Sequence, residues 1–110
     1  MKLFTKAILN KIPTLEATAE TSIEDGVVIC KFFNPAGAGT WYLTAYNPDQ
    51  KLAFGFVTLG DPDMAELGYI SITELESIKL PMGLSIERDM HFDPMPLKEV
   101  MDTITSGGHV

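Results

Sequence analysis

The sequence predicts an α+β fold: an antiparallel sheet of about four to five strands, flanked by N-terminal, short central and C-terminal helices. Three observations predict it. Runs rich in β-branched and aromatic residues at 27–33, 40–46 and 51–59 follow one another across short turn-forming links, the pattern of an antiparallel meander. Apolar residues recur at helical spacing within 3–12, 72–78 and 96–104. The chain has 110 residues, 45% of them apolar, which fits one domain with an ordinary core. Residues 1–104 are expected to form that domain, and 105–110, TSGGHV, a flexible tail.

In chain order, Phe4, Ile8 and Ile12 lie four apart in an opening helix that Pro13 ends. Its lysines Lys2, Lys6 and Lys11 are too few for a membrane anchor, so the apolar face is expected to pack on the sheet. Residues 14–26 are polar and acidic and read as a loop closed by the turn pair Asp25-Gly26. The run 27–33, VVICKFF, is apolar on both faces, as a central strand requires. Val28, Cys30 and Phe32 share one face, and Val27, Ile29, Lys31 and Phe33 the other. Cys30 is thereby placed in the sheet interior as inert packing. NPAGAG at 34–39 is a loop without the Lys-Ser/Thr of a phosphate loop. TWYLTAY and KLAFGFVTL follow as strands across a turn at Asn47-Pro48-Asp49-Gln50. Gly55, in the third strand, marks a close backbone approach. Asp61, Asp63 and Glu66 invite a metal reading, but turn chemistry accounts for Asp-Pro-Asp and the spacing is not that of a calcium loop.

The stretch 66–94 is the densest in local signals. Leu67-Gly68-Tyr69-Ile70 reads as a short strand. Ser71-Ile72-Thr73-Glu74 is a capping box, with Ile70 and Leu75 as a hydrophobic staple. The helix 72–78 stops before Pro81, Met82-Gly83 turns the chain, and 84–89 opens as a strand. Pro96 suits the first turn of the closing helix, which carries Leu97, Val100, Met101 and Ile104 on one side.

Composition narrows the function. Fifteen acids against eight scattered bases give a net charge of −7, which repels nucleic acid and anionic lipid. One arginine leaves little for reading guanine. No apolar run is long enough to span a bilayer, and the lone cysteine forms no internal disulfide. The expected setting is cytoplasmic, and the expected partner is another protein sooner than nucleic acid, with no membrane, no metal and no cofactor.

Chemistry-bearing residues crowd at Glu87, Arg88, Asp89, His91 and Asp93. If the strand runs on, Glu87, Asp89, His91 and Asp93 share a face, where an imidazole between carboxylates serves as a general base or the group holds a metal. Against this, the acids also fit a solvated face, with Arg88 paired elsewhere. No nucleophile motif accompanies His91, and H-E-x-x-H is absent. Trp41, Tyr42 and Tyr46 form an aromatic group that would stack on a base if exposed and belong to the core if buried. Trp41 and Tyr42 point to opposite faces of one strand. His109, in the tail, is not expected at a site.

Taken together, KFFNPAGAGTWY (31–42), LAFGFV (52–57), ELGYISITELESI (66–78) and GLSIERDMHFDP (83–94) carry a resemblance across roughly residues 2–104. The chain resembles a family of small bacterial proteins catalogued as a domain of unknown function. The resemblance implies an accessory role on plasmids, phages and conjugative elements, near DNA-handling and antirestriction genes, and implies no catalytic residue. Members commonly carry an acid just after the TWY strand, where this chain has Ala45. The leading expectation is a non-enzymatic protein-binding module associated with mobile-element DNA biology. The alternatives are a metal-dependent or acid/base hydrolase centred on Glu87, Asp89 and His91, and a single-stranded nucleic-acid binder using Trp41 and Tyr42.

Overall fold

The computed structural model describes residues 2–110. Its helices are α1 (Lys6–Lys11), α2 (Leu15–Thr18), α3 (Ile72–Ser77) and α4 (Leu97–Thr105). Its strands are β1 (Val27–Val28), β2 (Cys30–Phe33), β3 (Thr40–Asn47), β4 (Leu52–Thr58), β5 (Glu66–Ser71), β6 (Glu87–Arg88) and β7 (Met95–Pro96). Five strands form an antiparallel sheet in the order β5-β4-β3-β2-β6, and β1 pairs with β7 in a separate ribbon. The fold is α+β, as the sequence predicts. Among the described residues no helix is long and apolar enough to cross a membrane.

The meander β2-β3-β4 follows from sequence, and β5 extends it by pairing with β4. Its links are short, and β3 is buried on both faces from Trp41 to Tyr46. After β5 the chain turns into α3, where Ser71 Oγ accepts from the Glu74 N–H at 3.2 Å. That is one half of the expected capping box; the reciprocal bond from Ser71 N–H to Glu74 does not form. The chain then returns past the buried Ile86 to pair β6 with β2 at the far edge. Met82, with φ of 62°, and Gly83, with φ of 74°, make the turn on the way.

The run 27–33 departs from the single strand its pattern predicts. Val27 and Val28 pair with Pro96 and Met95, whereas Cys30 to Phe33 pair with Leu43 to Thr40. Between them, the Ile29 N–H donates to the Leu43 carbonyl at 2.8 Å. A one-residue break in a period of two reverses the face of every side chain beyond it. Val28 therefore joins Tyr42, Phe56, Leu97, Val100 and Ile104 in the core beneath α4. Cys30 and Phe32 lie in the opposite core, with Leu3, Trp41, Leu43, Ile72 and Leu75. Expecting Val28, Cys30 and Phe32 on one face assumed an unbroken strand.

A second irregularity sits opposite. Leu43 faces Gly55 but Ala45 faces Phe54, so Thr44 is the extra residue of a β-bulge, and its hydroxyl donates to the Phe54 carbonyl at 3.2 Å. The close approach expected at Gly55 is real: a Cβ there would stand 1.8 Å from the Tyr42 carbonyl oxygen.

The N-terminal segment is fastened to the sheet before α1 begins. Leu3 is buried, and Phe4 stacks on Tyr46 at 4.1 Å and meets Phe32 edge-on at 5.4 Å. Residues 105–110, expected as a loose tail, end on a held residue. The Val110 carbonyl accepts from Lys31 Nζ at 2.6 Å and from the Tyr42 hydroxyl at 3.0 Å.

Candidate polar cleft at the end of the sheet

Lys31 is the one charged side chain buried among the described residues, at 6% exposure. Its register explains this. Lys31 faces Tyr42 across the β2–β3 ladder, and the continuation of β6 brings Asp89 to its other side, the Asp89 N–H donating to the Lys31 carbonyl at 2.9 Å. Lys31 Nζ lies 3.6 Å from Asp89 Oδ2 and 5.8 Å from the centre of the Tyr42 ring. A buried ammonium is tolerated because a carboxylate and a carbonyl replace the water it lost.

The strand expected over 84–89 is only two residues long, Glu87–Arg88. It ends because Asp89 folds the chain back: its Oδ1 accepts from the His91 N–H at 2.9 Å, and its carbonyl from the Phe92 N–H at 3.3 Å. The alternation that would align Glu87, Asp89, His91 and Asp93 therefore fails. The turn nonetheless brings Glu87, Asp89 and His91 to the wall of one cavity of about 600 Å³, while Asp93 stays outside it. The opposite wall is the loop between β2 and β3 with Asn34, and His109 from the tail. This volume falls in the range of small-molecule sites.

The side chains divide by employment. Asp89 is occupied by the turn and by Lys31. Arg88 contributes to the wall, but its Nη1 donates to the Lys2 and Leu3 carbonyls at 2.6 and 2.9 Å, anchoring the N-terminal segment. Asn34 shapes its own loop, with Oδ1 accepting from the Ala36 N–H at 2.8 Å and Nδ2 donating to the Ala38 carbonyl at 3.3 Å. Glu87 is half-buried and His91 and His109 are exposed to the opening. Among the described residues, no three His, Cys, Asp or Glu side chains stand close enough to share a metal ion.

The remaining candidates lie elsewhere. Trp41 and Tyr42 are buried, at 9% and 1% exposure, in opposite cores. Neither offers a ring face for a base to stack on. Burial, followed by the negative charge of Asp89, pushes the Tyr42 hydroxyl up to about 12, which keeps its proton available for Val110. Cys30 is buried, and desolvation pushes its thiol up to about 12, against the smaller opposing effect of Arg88. A thiol so held is inert. Asp61 caps its own turn, its Oδ1 accepting from the Asp63 N–H at 2.9 Å, so turn chemistry accounts for that acid.

His109, which the sequence reading set aside, lines the cavity. Its signal was the aromatic and aliphatic neighbourhood waiting for Val110, which only the folded sheet reveals. The family model for "Protein of unknown function (DUF2958)" matches residues 3–110. The chain belongs to this family. The match covers the cleft in full, from Lys31 to His109, and the family's description states no function, so it assigns no role to any residue. No curated protein and no solved structure matches the chain.

Proposed function

We propose that this DUF2958 protein binds a small polar molecule in the cleft at the end of its sheet and exchanges protons with it through Glu87 and His91. One observation carries the reading: both histidines of the chain, its buried lysine and two carboxylates line a single cavity. Imidazole is the side chain suited to give and take protons near neutrality. Lys31 and Asp89 supply a fixed pair of opposite charges at the floor. A ligand carrying both a donor-rich and an acceptor-rich group, zwitterionic or polyhydroxylated, complements that pair better than a simple anion does. Arg88 is a positioning residue, holding the N-terminal segment against β6. The setting we attach is the one the resemblance implies, an accessory role on bacterial mobile elements, in the cytoplasmic compartment that the lone cysteine favours.

The test is a screen of small zwitterionic and polyhydroxylated compounds by NMR. Binding is expected to move the imidazole resonances of His91 and His109 together, and Glu87→Gln and His91→Ala are expected to weaken it by about tenfold or more each. Compounds that bind while leaving both imidazoles unmoved, or a screen in which nothing binds, would overturn the reading.

A further inference from the structure

The outer edge of β5 has no partner among the described residues. β5 ends the sheet, so only β4 bonds it. The ladder from Leu52–Ser71 to Val57–Glu66 is unbroken, and the Ile72 N–H donates to the Lys51 carbonyl at 3.0 Å. Bonded pairs alternate along an antiparallel ladder. Glu66, Gly68 and Ile70 therefore turn their backbone groups toward β4, and Leu67 and Tyr69 turn theirs outward, as does the N–H of Ser71. No turn, loop or cap bond reaches these outward groups. Folded proteins blunt such edges with lysine, proline or a bulge. β5, ELGYIS, has none of the three, and Tyr69 stands 70% exposed along it.

Beside the edge lies a groove of about 260 Å³, lined by the buried Trp41 and Ile70, the half-buried Val57 and Gly68, and the exposed carboxylates of Glu66 and Glu74. No lysine, arginine or histidine lines it. A Cβ built on Gly68 meets nothing within 4 Å, so the space above this residue is open.

We infer that β5 takes up an extended segment of another protein as an added strand, with a lysine or arginine of that segment opposite Gly68. The outward N–H and C=O groups select a strand backbone. In an added strand, the residue opposite Gly68 projects from the same face of the sheet and enters the groove. A long basic side chain fits it at both ends: its methylenes lie over the half-buried Val57 and the open space at Gly68, and its charge meets Glu66 and Glu74. A second copy of this chain fits poorly, because two molecules of net charge −7 would set their acidic grooves side by side with no cation between them.

The probes are octapeptides of alternating valine and threonine carrying one central lysine, the same peptide with glutamate there, and the lysine peptide N-methylated at alternate residues. Fluorescence anisotropy with the full chain at low salt is expected to show binding of the lysine peptide, and binding about tenfold or more weaker for the other two. Amide exchange at Leu67 and Tyr69 is expected to slow on binding. Gly68→Leu fills open space, so it is expected to leave the thermal midpoint nearly unchanged while weakening the lysine peptide by about tenfold. Failure of the lysine peptide to bind, equal binding of the lysine and glutamate peptides, or Leu67 and Tyr69 amides already protected in a dimer of the free protein would each overturn the inference.

Discussion

Lys31 and Tyr42 reach one acceptor from neighbouring strands, and the Val110 carbonyl joins the end of the described chain to the middle of the sheet. The two donors are not equivalent. Tyr42→Phe removes one neutral hydrogen bond and is expected to cost about 1 kcal/mol. Lys31→Met also leaves Asp89 without its cation, and is expected to cost more, roughly 2–3 kcal/mol, because a charged partner is stranded. Urea denaturation of the two variants checks the order. The same neighbourhood sets an alkaline limit. The Cys30 thiol rises from 9.0 to about 12 and the Tyr42 hydroxyl from 10.0 to about 12 in the folded protein. Both groups are neutral when protonated, and folding holds the proton. Their contribution is thus complete below pH 9, where the unfolded chain keeps its protons too, and is lost as pH rises toward 12. Stability is expected to fall by roughly 1 kcal/mol per pH unit for each group inside its window. Cys30→Ala should flatten the first part of that fall, between pH 9 and 10, in denaturation curves taken across alkaline pH.

The elements were legible in proportion to how locally they are determined. The meander was readable because its strands are rich in β-branched and aromatic residues and the links between them carry their own turn residues. The Ser71 cap was readable because its partner, Glu74, lies one helical turn away. The break at Ile29 was not, since VVICKFF is apolar at nearly every position and nothing in it marks a division. The run divides only because β7, more than sixty residues later in sequence, claims Val27 and Val28. The cleft shows the same division. Glu87, Asp89 and His91 stood out as a dense polar run, but their alignment was misread as a strand because the Asp89 turn uses a side chain to imitate backbone. Gly55 was singled out from its pattern alone, and the structure gives the reason. The bulge at Thr44 drives the Tyr42 carbonyl into the space a side chain would occupy. Backbone cannot move aside as a flexible side chain does, so Gly55→Ala is expected to cost on the order of 3 kcal/mol or more. Circular dichroism melting should show a partly or wholly unfolded variant, and retention of the native midpoint would mean that the bulge relaxes freely.

At the scale of the molecule, two cores share one sheet, and the N-terminal segment closes one of them. Leu3 and Phe4 reach that core from outside any helix or strand, so nothing local holds them there. The Arg88 guanidinium does so from the edge strand, its Nη1 donating to two successive carbonyls, Lys2 and Leu3. Hydrogen bonds from a charged donor are worth more than neutral ones. A lysine in the same place keeps the charge, but its flexible stem and compact, strongly hydrated ammonium lack the rigid planar guanidinium that holds Nη1 between the two acceptors. Arg88→Lys is therefore expected to lower stability by roughly 2 kcal/mol, a fall of about 10 °C in thermal midpoint for a domain of this size. Because Phe4 stacks on Tyr46, the release has its own spectroscopic mark, a change in the near-ultraviolet circular dichroism of the aromatic cluster below the unfolding transition. If Arg88 served the cleft as a ligand anchor and not the segment, Arg88→Lys would weaken ligand binding and leave that aromatic signal and the midpoint where they were.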